Sequence, residues 1–266
     1  MTFMANGEPG SFIPDKKTRL MASKQKASEN LGRLVGILAL EYWRRLFDRL
    51  ERMPNSQSLF RHITECRNQE DVADHLAIVH YALVFSHLNF EVAIEPCGSA
   101  GPDLAVRKEG NTAIVEVMRF REIYPGPLVL KEDGEPELLP YGNLARDTQK
   151  AWDKIINKFR QVGDSESIIA IWNDDGDLED IEVQQTVENL RSAANRNAVA
   201  LPSNAGFILY GSKWLGEGPN PLGKQFYCFP LNLSLKPEYL EWIREIEKFL
   251  LTELSERKGI RMSQPA

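Results

Sequence analysis

The apolar positions of this chain change period several times, and each change marks an element. Residues 1–27 are rich in Gly, Pro, Lys and Ser without periodicity, and predict a flexible, mildly basic N-terminal arm. From Ser28, with Glu29 in the first turn, Leu31, Leu34, Val35, Leu38, Tyr42, Leu46 and Leu50 recur at helical spacing until Pro54. A shorter helical piece over 57–66 follows. A long helix then runs from Gln69 to about Leu88, with Val72, Leu76, Val79 and Leu83 inside. There the period drops to two. FEVAIE (90–95), DLAVR (103–107) and TAIVEVM (112–118) read as strands, the last two joined by the turn KEGN.

Residues 122–142 carry four prolines and little periodicity, as in a long insertion or lid. A helix over 143–162 shows Leu144, Trp152, Ile155, Phe159 and Val162 on its apolar face, and SIIAIW (167–172) is a fully apolar strand. A helix near 182–197, strands GFILYG and QFYCFP, and an amphipathic helix from Pro237 to about Lys258 complete the pattern. The central order is helix, three strands, helix, strand. Such interleaving predicts an α/β fold, a mixed central sheet flanked by helices, with N- and C-terminal helical additions. Beyond the arm, one domain is expected over 28–266. Its core is 69–172, interrupted by the 122–142 insertion and extended by 173–266.

Composition narrows the function classes. A chain of 266 residues can bury a sizeable core. The net charge of −6 argues against a general coat for nucleic acid but leaves room for a local basic groove. The longest apolar run, LVGILAL at 34–40, is too short to span a bilayer, and the N-terminus lacks the apolar core of a secretory signal. Cys66, Cys97 and Cys228 show no pairing or metal spacing, which suits reduced thiols, so a cytoplasmic protein without membrane association is expected. His80 and His87, about 10.5 Å apart along one helix, are too distant to share an ion.

The chemistry gathers in the hairpin. With residues 108–111 as the turn, Arg107 opposes Thr112, and constant-sum pairing brings Asp103 opposite Glu116. Residues so opposed have Cβ atoms roughly 4.5–5.5 Å apart, and a slip of one would separate them. Two like charges there repel unless a cation or a proton lies between them. Mg²⁺ or Mn²⁺, held by the carboxylates and a backbone carbonyl, removes the conflict. Spacing alone favours a plainer alternative, a solvated hairpin face with each acid paired to a neighbouring Arg or Lys.

The surroundings add weight to the metal. Pro102-Asp103, a hairpin turn and Glu116-Val117-Met118, set in that element order, resemble the PD-(D/E)XK nuclease superfamily over residues 69–172. The resemblance implies a Mg²⁺- or Mn²⁺-dependent hydrolase of phosphodiester bonds in nucleic acid, an endonuclease with DNA ahead of RNA as substrate. It makes Asp103 and Glu116 the metal-binding acids, with the Val117 carbonyl as a further ligand. It also assigns metal binding to Asp74, with Glu70 second, at i, i+4 on the preceding helix. Met118 departs from the pattern, because family members usually carry there the lysine that orients the attacking water. Lys150, Lys154 and Lys158 repeat every four residues along the 143–162 helix, and Gln161 extends the stripe. The expected catalytic replacements are Lys150 and Lys154, with Lys158 and Gln161 on the substrate. A solvated helix face is the alternative for that stripe. The resemblance also admits a nuclease-like fold that has lost chemistry and serves as a nucleic-acid-binding or assembly module, with a homodimer or a protein complex left open.

Overall fold

A computed structural model describes residues 16–35, 37–98, 101–120, 144–162, 166–173, 178, 180–202, 204–212, 226–231 and 235–249. Four helices come first: α1 (Lys16–Val35), α2 (Ile37–Leu50), α3 (Ser56–Glu65) and α4 (Gln69–His87). Strands β1 (Glu91–Ile94), β2 (Leu104–Lys108) and β3 (Asn111–Phe120) follow, then α5 (Leu144–Val162), β4 (Ser167–Asn173), α6 (Asp180–Asn195), β5 (Ala205–Ser212), β6 (Phe226–Pro230) and α7 (Pro237–Ile246). The six strands form one mixed sheet in chain order. β3–β4 and β4–β5 are parallel and the other neighbours antiparallel. The parallel pairs are those spanned by α5 and α6, because a parallel connection needs a crossover.

Alternation along the strands sorts the helices into two layers. Val92 and Ile94 of β1, Leu104 and Val106 of β2, and Val115 and Val117 of β3 share a core with α1–α4 and α7. Met118 and Phe120 of β3, with Ile169 and Ile171 of β4, share the opposite core with Ile155 and Phe159 of α5 and Val183 and Val187 of α6. Tyr81 of α4 crosses to the sheet, its hydroxyl donating to the Ile171 carbonyl at 2.6 Å. The expected mixed sheet and its central order, α4-β1-β2-β3-α5-β4, are both present.

Three expectations need correction. Residues 16–27 are not an irregular arm: α1 starts at Lys16 and buries Ala27 and Leu31 completely. Its Lys, Ala and Gln content has good helix propensity, and packing of a sparse apolar stripe supplies the rest. Two helices, α1 and α2, take the place of one running from Ser28 to Pro54. The described part of α7 ends at Ile246, short of Lys258. The 122–142 insertion lies outside the described residues. The 173–266 extension supplies β5 and β6 to the same sheet. Among the described residues no helix is long and apolar enough to cross a membrane.

The β2–β3 hairpin is one pair tighter than expected. Lys108 pairs with Asn111, leaving Glu109 and Gly110 as a two-residue turn with φ of 52° and 84°. Both angles positive is what a type I′ turn requires, and glycine adopts it without steric cost. The tighter turn keeps the same register, from Arg107↔Thr112 to Leu104↔Val115.

Candidate functional site

Carried one pair past Leu104↔Val115, that register sets Asp103 opposite Glu116. Asp103 stands just before β2, its carbonyl accepting the Glu95 N–H at 2.8 Å. Its carboxylate Oδ2 accepts the Val117 N–H at 2.7 Å. The same register sets Pro102 opposite Val117, and proline has no N–H to return. In an antiparallel pair the N–H and C=O of one residue point to the same neighbour. The Val117 carbonyl therefore faces the Asp103 side of the hairpin and receives no ladder bond from Pro102.

Glu116 alternates to the α5 face and is almost fully buried. Lys158 comes down from α5 with Nζ at 2.7 Å from Glu116 Oε2 and 3.8 Å from Asp103 Oδ2. One ammonium thus lies between two carboxylates that would otherwise repel. The rest of the lysine stripe falls further along β3. Lys154 Nζ donates to the Arg119 carbonyl at 3.1 Å and sits 4.9 Å from the Phe120 ring centroid, and Lys150 Nζ is 6.0 Å from the same ring. The helix runs antiparallel to the strand, so only its third lysine reaches the acids. Lys158, assigned to substrate by the resemblance, is the one at the pair, while Lys150 and Lys154 are not. The stripe is also no plain solvated face, since the Lys158 side chain is only 22% exposed. The side chain of Gln161 lies outside the described residues.

Burial pushes the Asp103 carboxyl up to about 6. Lys158 opposes that rise, Glu116 adds to it, the Val117 N–H opposes it, and Glu95 adds a further push upward.

Asp74 and Glu70 do not join this pair. Arg119, the next alternate on β3, points to the α4 face, where its Nε donates to Asp74 Oδ1 at 3.0 Å and its Nη2 to Glu70. The guanidinium is 3% exposed and its two acids are about half exposed. Both acids are thereby committed to neutralising a buried cation on the far side of the strand. Met118 returns to the Glu116 face and joins the apolar cluster of Phe120, Ile155 and Phe159. A thioether suits that cluster better than an ammonium would.

Another acid bonded to the Asp103 backbone, Glu95, carries no role in the sequence reading. Glu95 follows β1 in a left-handed conformation (φ 42°), accepts a bond from the Ser58 hydroxyl, and lies 3.0 Å from His62 Nε2. His62 stacks on His75 with centroids 5.4 Å apart, and burial holds the His75 imidazole below its ordinary value, His62 adding to that effect. A signal existed: an acid closing a strand immediately before the Pro96–Gly98 loop that leads into Pro102-Asp103. His80, by contrast, packs between Trp43 and Trp172, and His87 against Phe249.

The donors suit a hard divalent cation in type. Two carboxylates from adjacent strands and the Val117 carbonyl supply oxygen alone, which is the preference of Mg²⁺ and Mn²⁺. No group of three or more His, Cys, Asp or Glu side chains able to hold a metal occurs among the described residues, so backbone and water would complete the shell. No protein-family model matches the chain, nor does any curated protein or solved structure.

Proposed function

We propose that this chain is a Mg²⁺- or Mn²⁺-dependent phosphodiesterase of the PD-(D/E)XK type that cleaves nucleic acid as a DNA endonuclease. One observation carries the reading: the Lys158 ammonium sits between Asp103 and Glu116, 2.7 Å from the latter. A cation from the following helix thereby meets the acid pair, as the reading requires once Met118 occupies the usual lysine position. When bound, the divalent ion would lower the pKa of a water and stabilise charge on the phosphate. Asp103 and Glu116 hold the charge for that ion, and the Val117 N–H fixes the orientation of Asp103. Lys158, on its flexible stem, is free to move from Glu116 to the attacking water or the phosphoryl oxygens. A cytoplasmic setting belongs to the same proposal, with Cys66, Cys97 and Cys228 as free thiols.

The test is cleavage of supercoiled, linear and single-stranded DNA, and of RNA, with either metal. Asp103→Asn, Glu116→Gln and Lys158→Ala should each abolish cutting, while Lys150→Ala and Lys154→Ala retain it. A wild type that cuts none of these substrates refutes the proposal. A second reading, a nucleic-acid-binding module without chemistry, draws on the same contact, because Lys158 already neutralises the pair without a metal. It predicts binding that is indifferent to Mn²⁺ and no cleavage.

A further inference from the structure

A groove of about 880 Å³ lies between the start of α1, the α2–α3 turn and the end of β1. Lys16, Arg52 and Arg61 line it, and all three are exposed. None of them forms an ion pair with another described residue. The groove also contains Glu51, but Lys24 neutralises that carboxylate, with Nζ 2.5 Å from Glu51 and 2.9 Å from Asp48. In a chain of net charge −6 most cations are expected to find carboxylates. Three that converge unpaired on one concavity make a local positive field against the protein's overall sign.

A neighbouring cavity of about 530 Å³ shares Arg52, Met53 and Pro54 with the groove and adds Arg49, together with Glu91, whose carboxylate pairs with Arg107. The groove's own lining includes Glu95, whose N–H donates to the Asp103 carbonyl at 2.8 Å. That backbone bond joins the lining of the cationic track to the residue that carries one of the two carboxylates. Exposed guanidinium groups match phosphate oxygens bidentately and lose little hydration in doing so. A single small anion would fill only part of such a track.

We infer that the Lys16–Arg52–Arg61 groove binds the phosphate backbone of a nucleic-acid strand and leads it past Glu95 to Asp103 and Glu116. This inference rests on the proposed nuclease activity for what happens at the groove's inner end, and on the cations alone for binding.

Fluorescence anisotropy of a labelled single-stranded DNA with the full chain tests it, in EDTA so that no strand is cut. Each phosphate contact to a single strand contributes about 0.7 to the slope of log affinity against log salt. Arg52→Ala with Arg61→Ala should therefore lower the slope by about 1.4, and Lys16→Ala by about a further 0.7. Between about 50 and 200 mM salt, the double variant's affinity should change roughly sevenfold less than the wild type's. Both arginines are exposed, so the variant should keep the wild-type circular dichroism, and Arg196→Ala beyond α6 should leave the slope unchanged. A double variant with the wild-type slope overturns the groove, even if the protein cleaves DNA. A wild type that binds no strand overturns it as well. A reduced slope in a protein that never cleaves sustains the groove and overturns the nuclease reading alone.

Discussion

Replacing Asp103 by Asn should stabilise the metal-free protein at neutral pH, although it removes a residue of the proposed site. The amide oxygen still accepts the Val117 N–H, so the link made at 2.7 Å survives. What disappears is a carboxylate facing Glu116 and Glu95. Asp103 titrates at about 6 in the fold, raised from 3.8. That difference of about two units, at roughly 1.36 kcal/mol each, amounts to about 3 kcal/mol. The sign follows from proton uptake. Folded protein holds the Asp103 proton more tightly than the unfolded chain does, so the contribution of Asp103 to wild-type stability is greatest below about pH 4, falls as pH rises to about 6, and is level above. Asp103→Asn lacks this loss. The two proteins should be similar near pH 4, and the variant more stable by about 3 kcal/mol near pH 8, or roughly 6–12 °C in Tm for a chain of this size. Urea unfolding followed by circular dichroism across that range measures the gap. A gap that does not widen with pH, or that favours the wild type at alkaline pH, refutes the reasoning.

Other outcomes follow from the same contacts. Lys158→Ala leaves Glu116, its side chain 4% exposed, facing Asp103 with no cation, and should cost about 3 kcal/mol near pH 8. Losing the ammonium also drives the Asp103 carboxyl further up, so the cost should shrink near pH 5, as a urea series would show. Mn²⁺ at a hundredfold excess over Kd should stabilise the folded state by about 2.7 kcal/mol and raise Tm accordingly, and Asp103→Asn with Glu116→Gln should erase the shift. Arg119→Met should change stability by less than about 1 kcal/mol, because the freed Glu70 and Asp74 are half exposed and can hydrate, and should leave the Mn²⁺ response intact.

The hairpin was legible because its register depends on local chemistry. Glu109-Gly110 dictates a tight turn, and constant-sum pairing then fixes the neighbours of Asp103 without reference to the rest of the fold. Choosing among the three lysines was beyond such reasoning. Helical spacing gives the face of α5 but not its axial position against β3, which depends on how Ile155 and Phe159 seat on the sheet. Asp74 and Glu70 were misjudged for a related reason. Alternation sends Arg119 to the α4 face, and a buried guanidinium there claims whichever acids α4 presents. Glu95 went unnoticed because its role depends on α3, whose Ser58 and His62 reach it across 37 and 33 positions of chain. The start of α1 was hidden by a composition resembling that of an unstructured arm, although Ala27 and Leu31 are fully buried.

The central claim is that Asp103, Glu116 and Lys158 form one cation-binding site. Anomalous diffraction from crystals soaked in Mn²⁺ tests it directly. The account predicts a manganese peak within bonding distance of both carboxylates and the Val117 carbonyl, with the Lys158 ammonium withdrawn from its 2.7 Å contact with Glu116. A Mn²⁺-soaked crystal with no peak at the pair and Lys158 still bonded to Glu116 would contradict it.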